Sequence, residues 1–441
     1  MISITFNKRD AINNFTEILF IITLAFIGTQ RLLMPALSAY VCLIPFIIFL
    51  YYEVLGVNRP EKIIYLIIAI FLSVDNGGNF YYETPAFIRY PLYISLIYYL
   101  VTNTTINLKN TKYFFVYVLF LLLITVFNHE MVNLNVFFRD IFILFLIFIA
   151  INKSSRTLLA YKFSPKLLNK FLIFYIIFES INGFLFLDLF YGEYLNYDST
   201  KALIILPSLI LFSEKKYLKF LLLGLATFYV LAWYGSRMIS LIYVTALIMI
   251  LIRNISFNRE TLIFLPFVFI TISFLALYFF NVEFKQTPKI IELIQDILIS
   301  TSFIDLLKIL DPIRFYEHIL FFDRNIFNIL FGSGLGTGIY DHQNLMGFVS
   351  GLQTAFSNEE LSSKIFYNFH DLHIDFGLRF GLVVIIFVLI KLIINFFKSS
   401  PENKYLSTLL ICMIFTMFFS TSGLLLITLF YMIMSKKKKI L

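Results

Sequence analysis

Tyr113-Phe-Phe-Val-Tyr-Val-Leu-Phe-Leu-Leu-Leu-Ile-Thr-Val-Phe127 contains no charged residue, and as a helix it approaches the roughly 20 residues that cross a bilayer. Outward from it the chain repeats the pattern. About fourteen apolar runs centre near residues 21, 43, 69, 95, 121, 144, 178, 207, 226, 246, 271, 388, 411 and 428. The first, third and eighth are short, and only Ser420-Thr-Ser-Gly423 separates the last two. Of the 441 residues, 60% are hydrophobic and 14% charged, against about 25% charged in a soluble domain. The expected fold is all-α: a polytopic integral membrane protein with about 12–14 transmembrane helices.

Asn7-Lys-Arg-Asp10 before the run Phe15–Ile27 is signal-like, and Ala36-Leu-Ser-Ala39 weakly resembles a cleavage site. A second apolar run follows at once, so the first is expected to stay as a span. One set of alternate connections collects most of the 35 basic residues, among them Lys8 and Arg9, Arg59 and Lys62, Lys109 and Lys112, Lys215, Lys216 and Lys219, and the tail Lys436 to Lys439. The opposite connections hold few, with Arg89, Arg139 and Arg237 at span edges. Basic residues stay on the cytoplasmic side, so both termini are expected there. The net charge of +8 follows this distribution, and no nucleic-acid partner is expected. Cys42 and Cys412 both lie in apolar runs, which leaves no cysteine for a disulfide or metal site elsewhere.

The exception to the apolar pattern is residues 282–376. It divides the chain into eleven spans (1–281), a large outer loop, and C-terminal spans with a basic cytoplasmic tail (377–441). The loop reads as folded. Ile290, Ile291, Ile294, Ile297 and Leu298 share one helical face, which suits a membrane surface. Ser357-Asn-Glu-Glu360 is a capping-box pattern that opens a helix.

Within and around this loop stand the candidate site residues. Arg237, in Trp233-Tyr-Gly-Ser-Arg237, sits at the outer end of a span hairpin. It either snorkels to lipid phosphates or grips a pyrophosphate through its planar fork. Arg314 and His318, in Asp311-Pro-Ile-Arg314-Phe-Tyr-Glu-His318, share a helix face. They form either a solvated charge cluster or a second cation for an anionic leaving group. Gly332, Gly334, Gly336 and Gly338 do not match a nucleotide-binding register, and they suggest a flexible turn that nears a substrate, or a hinge. His370, His373, Gly377 and Gly381 recur on one face of the helix that enters the next span. The histidines there suit a general base or phosphate ligand, and they are too few for a convincing metal site. Arg139-Asp140 and Glu179 read as ion pairing that fixes helix packing, or as a substrate path.

Three segments together resemble the O-antigen polymerase and ligase superfamily. They are Gly235-Ser-Arg237 opening a span, Arg314-Phe-Tyr-Glu-His followed by Gly332-Ser-Gly-Leu-Gly336, and His370-Asp-Leu-His-Ile-Asp-Phe-Gly-Leu-Arg-Phe-Gly381. The resemblance covers roughly residues 215–395. Asp371 stands where the family usually has Asn, and Leu382-Val-Val384 lacks a small or Tyr residue of the ligase pattern. Both leave polymerase against ligase open, with a tilt toward polymerase.

The resemblance implies a helical, GT-C-like glycosyltransferase, inverting and metal-independent, with no cofactor. It would act at the inner membrane on the periplasmic face. Donor and acceptor would be undecaprenyl-pyrophosphate-linked oligosaccharides, with the lipid bilayer and a chain-length regulator protein as partners. Arg237 and Arg314 would bind pyrophosphate, His370 would activate the acceptor hydroxyl or hold a phosphate oxygen, and His318, Gly334, Gly336 and His373 would line the substrate. The alternatives are an O-antigen ligase and a flippase for lipid-linked oligosaccharide. Transport fits less well, because it calls for polar groups along the membrane midplane.

Overall fold

A computed structural model describes residues 8–30, 34–56, 62–74, 84–103, 105–106, 111–154, 166–186, 203–234, 237–254, 312–348, 356–367, 369 and 372–398, with 299, 302 and 308 as single positions. The described chain is mainly helical, with a few two-residue strands. The apolar centres near 271, 411 and 428, the amphipathic stretch 290–298 and the C-terminal tail lie outside the described residues, as do His370 and Asp371. At the other eleven centres a helix is present.

The chain forms two compact units. The first takes residues 1–98 and 161–289. It holds α1 (Lys8–Thr29), α2 (Pro35–Tyr40), α3 (Leu43–Val54), α4 (Lys62–Val74), most of α5 (Ala86–Asn103), α8 (Lys166–Phe186), α9 (Ile205–Ser213), α10 (Tyr217–Tyr234) and α11 (Arg237–Asn254). Helix α8 packs against α1, α4, α9 and α10. Phe71 of α4 meets Phe171 and Tyr175 of α8 edge-on, at 5.9 and 5.2 Å between ring centroids, an aromatic geometry that adds to the area buried. Short α9 is buried along nearly its whole length.

The second unit takes residues 99–160 and 290–441, so the described part of the polar loop belongs with α6 (Thr111–Phe127) and α7 (Leu134–Asn152). These two helices form a hairpin, with a two-residue ladder between β1 (Thr105–Ile106) and β2 (Lys153–Ser154) at its base. The loop contributes α12 (Pro312–Phe322), α13 (Ile326–Phe331), β3 (Ile339–Tyr340), α14 (Asn358–Ser363) and β4 (Ile365–Phe366), followed by α15 (Leu372–Phe380) and α16 (Leu382–Lys398). It has a core of its own, built from Leu320, Phe321, Ile329, Phe356, Phe366, Ile374 and their neighbours.

Local chemistry sets the loop's boundaries. Asn325 caps α13 by accepting from the Phe327 N–H at 2.9 Å. The capping box at Ser357 forms as the sequence suggests: Ser357 Oγ accepts from the Glu360 N–H, and the Glu360 carboxylate accepts from the Ser357 N–H.

One expectation changes here. The helix that begins at Leu372 does not run through Gly381 into Leu382–Lys398. Gly381 has φ +82°, which ends α15, and a Cβ there would strike the Leu330 and Phe331 backbone, so the position suits glycine. Among the described residues, one length, Ala36–Val54, is long and apolar enough to cross a membrane. Phe15–Thr29, Lys62–Ser73, Lys112–Phe127 and Tyr217–Leu231 are shorter apolar helices.

Candidate functional site

Pro312 starts α12, its fixed φ suiting the first helical turn. The helix brings Arg314 and His318 onto successive turns of one face, with Glu317 fully buried beside them. His318 Nδ1 lies 2.7 Å from the Arg314 carbonyl, and His318 Nε2 lies 3.0 Å from His373 Nε2 on α15. A carbonyl only accepts, so Nδ1 of His318 carries a proton. The Nε2–Nε2 contact needs one proton and one lone pair. A neutral His318 therefore accepts there and His373 donates. The pair can share one proton across this contact but cannot hold two.

The glycine run lies against α6 and α7. The Leu335 N–H donates to Thr125 Oγ1 at 2.7 Å, the Gly336 N–H to Asp140 Oδ2 at 2.8 Å, the Gly338 N–H to the Met131 carbonyl at 3.0 Å and the Ser333 N–H to the Leu378 carbonyl at 2.7 Å. Asn128 Nδ2 donates to the Ser333 carbonyl at 2.8 Å. Gly334 and Gly336 have φ +99° and +70°. A Cβ on Gly334 would lie 2.7 Å from the Thr125 nitrogen, and one on Gly336 2.7 Å from Phe137 Cβ. Only glycine combines that backbone with that approach. The expectation of a hinge gives way to a buried, fixed turn, held by anchors about 200 residues away in the sequence, at 210 for Thr125 and 196 for Asp140.

Beneath the turn lies a charge cluster. Asp140 and Arg379 are fully buried, Asp375 nearly so, and Arg139 is partly exposed. Arg379 Nε is 2.8 Å from Asp140 Oδ2, an ion pair without aligned hydrogen-bond geometry, and Arg379 Nη1 is 2.6 Å from Asp375 Oδ1. Arg139 Nη2 is 3.1 Å from Asp375 Oδ2. Two carboxylates and two guanidinium groups balance, as buried charges must. Arg379 Nη2 also donates to the Tyr367 carbonyl, and Asp375 Oδ1 accepts from the Phe369 N–H at 3.4 Å. The strand end before α15 is thereby tied to the cluster.

Arg324, between α12 and α13, donates to the Phe321 carbonyl and to Ser333 Oγ at 3.1 and 2.9 Å, and lies over the Phe321 ring. Burial, with the Arg379 charge adding to it, pushes its pKa down to about 10. Among the described residues no carboxylate pairs with it.

Of the expected site residues, the fold brings together His318 and His373, with Arg314 one turn from His318. Gly334 and Gly336 face helix backbone. Arg237 opens α11 in the first unit, and His370 lies outside the described residues. Sequence reading passed over Asp375, Arg379, Thr125 and Asn128. The i,i+4 spacing of Asp375 and Arg379 was the available signal. Among the described residues, no group of three His, Cys, Asp or Glu side chains is placed to hold a metal ion.

Comparison of the chain with protein-family models, with curated proteins and with solved structures finds no match in any of the three.

Proposed function

We propose that the protein is a polytopic membrane glycosyltransferase that joins polyprenyl-pyrophosphate-linked oligosaccharide repeat units on the periplasmic face of the inner membrane. The observation that carries this reading is the His318–His373 contact. It joins two of the three segments that resemble the polymerase family, 55 residues apart in the chain, and sets Arg314 one helical turn away. Glycosyl transfer from a pyrophosphate calls for a base at the acceptor hydroxyl and a cation at the leaving group. The acceptor hydroxyl oxygen forms the new bond to the anomeric carbon, and the bond from that carbon to the pyrophosphate oxygen breaks. The hydroxyl proton leaves to a base, and negative charge collects on the pyrophosphate. Arg314 offsets that charge, and imidazoles that share a proton accept or pass one. The roles of His370 as base and Arg237 as pyrophosphate ligand rest on the resemblance.

The membrane placement is favoured by the apolar surface. On α6, Phe115, Val116, Leu119, Leu123 and Val126 are exposed, and on α16 Val383, Ile386, Phe387, Ile390 and Ile394. Stripes of this kind are stable facing acyl chains and costly facing water.

The test is deletion of the gene, followed by gel analysis of surface glycolipids. A polymerase mutant keeps a single repeat on the lipid core. Bare core with stored lipid-linked polymer would mean a ligase, and unchanged banding would refute both.

A further inference from the structure

The C-terminal end of α13 reaches below the C-terminal end of α6, and the glycine turn climbs from there to the hairpin tip, where Asn128 meets Ser333 and Met131 meets Gly338. Phe331 stacks edge-on against Phe120, with centroids 6.4 Å apart, and Leu335 is buried with Leu121 and Leu144. Phe120 and Leu121 are two turns before the end of α6 at Phe127, about 10 Å at 1.5 Å per residue. Gly336 meets Asp140, a similar distance inside α7, which begins at Leu134. The uncharged run Tyr113–Phe127 is only about 22 Å long, shorter than the roughly 30 Å hydrocarbon layer. If α6 spans the bilayer, its midpoint and everything beside it lie at hydrocarbon depth.

Two further observations agree. Irregular backbone at that depth must have its polar groups satisfied within the protein. Five of the seven N–H groups from Gly332 to Gly338, those of Gly332, Ser333, Leu335, Gly336 and Gly338, donate to protein acceptors. The outward side of α13 is also apolar. Phe327 is 49% and Phe331 41% exposed, while Ile329 on the opposite side is buried in the loop core. That surface is continuous with α6 through Phe120, and α13 packs on α16, whose apolar stripe starts at Val383. At the other end of α13, Asp323 is held by Gln343 in an exposed contact.

We infer that α13 and the glycine turn form a re-entrant element seated in the outer leaflet, with Phe327 and Phe331 against acyl chains. The loop does not simply cover the spans; part of it replaces lipid beside α6. This rests on the membrane placement proposed above but not on the glycosyl-transfer chemistry.

The test uses the full-length protein with Cys42→Ala and Cys412→Ala, reconstituted in phosphatidylethanolamine–phosphatidylglycerol vesicles. Nitroxide labels go on Phe327→Cys, Phe331→Cys, Leu123→Cys of α6, and Ser362→Cys as the water-exposed reference. Accessibility to oxygen, which concentrates in lipid, is compared with accessibility to a water-soluble nickel chelate. The inference expects Phe327 and Phe331 to group with Leu123, oxygen-accessible and shielded from nickel, and Ser362 to show the reverse. Nickel accessibility at Phe327 and Phe331 equal to Ser362, with Leu123 still in lipid, would overturn the re-entrant element alone. Nickel access at Leu123 as well would overturn the membrane placement and the element with it.

Discussion

Asp140 on α7 and Arg379 on α15 are both fully buried, with 2.8 Å between Asp140 Oδ2 and Arg379 Nε. The same Asp140 oxygen accepts the Gly336 N–H. One carboxylate therefore fastens the helical hairpin, the glycine turn and the helix that carries His373. Removing one member of a buried pair strands the other, at a cost of about 3–5 kcal/mol. Arg379→Gln is expected to lower the melting temperature of the detergent-purified protein sharply. The double variant Asp140→Asn/Arg379→Met, which keeps an acceptor for the Gly336 N–H and leaves the Arg139–Asp375 pair balanced, is expected to recover most of the loss. Equal melting of the single and double variants would show that charge balance is not what matters at this place.

Arg324 makes the opposite case. Its charge is partly buried without a carboxylate, and its pKa falls to about 10 for that reason. A cation whose folded pKa is depressed costs stability while it is charged, and deprotonation from about pH 10 upward relieves that cost. Across neutral pH the cost is constant. Arg324→Gln keeps donors near Phe321 and Ser333 and removes the charge. It is expected to melt at the wild-type temperature or above it, in contrast to Arg379→Gln. A large drop would mean that the Arg324 hydrogen bonds and ring contact outweigh its desolvation.

The glycine turn offers an internal control. Gly56 has φ +59° but nothing within 4 Å of a Cβ, so Gly56→Ala carries the conformational cost alone, about 1–2 kcal/mol. Gly334→Ala adds collision with the Thr125 backbone, and is expected to reduce the yield of monodisperse protein far more. Similar yields from the two would show that the turn can shift away from α6.

Some of this was readable from the chain. The uncharged run at Tyr113–Phe127 became α6, the short run near 207 became short α9, and Ser357–Glu360 became a capping box. Each depends on residues within a few turns of one another, where spacing alone carries the signal. Arg314 and His318 share a helix face for the same reason. The contact from His318 to His373 depends on how α12 packs on α15, which no local pattern encodes. Asp375 and Arg379 look like an ordinary helix-surface pair until Asp140 covers them. Glycine permits a hinge, a close helix contact or a positive φ equally well. Its role at 334, 336 and 381 was therefore settled by what approaches it.

Glu360 also accepts the Tyr367 N–H at 2.9 Å, beyond its part in the cap. Ser357→Ala is expected to cost about 1 kcal/mol, the usual value of a cap, and Glu360→Ala more, because it also frees the strand end before α15. Limited proteolysis should cut the Glu360→Ala protein faster than Ser357→Ala. The reverse order would remove the link between α14 and α15.

The lipid-linked oligosaccharide that accumulates in a deletion strain is, on this account, the enzyme's own substrate. Extracted and incubated with the purified protein in vesicles containing EDTA, it is expected to give a ladder of multiples of the repeat unit. One polyprenyl pyrophosphate should be released per bond. Arg314→Ala should reduce the rate by two orders of magnitude or more, and Arg314→Lys should restore part of it. An unchanged lipid-linked unit with wild-type protein, in the presence or absence of divalent metal, would contradict the account.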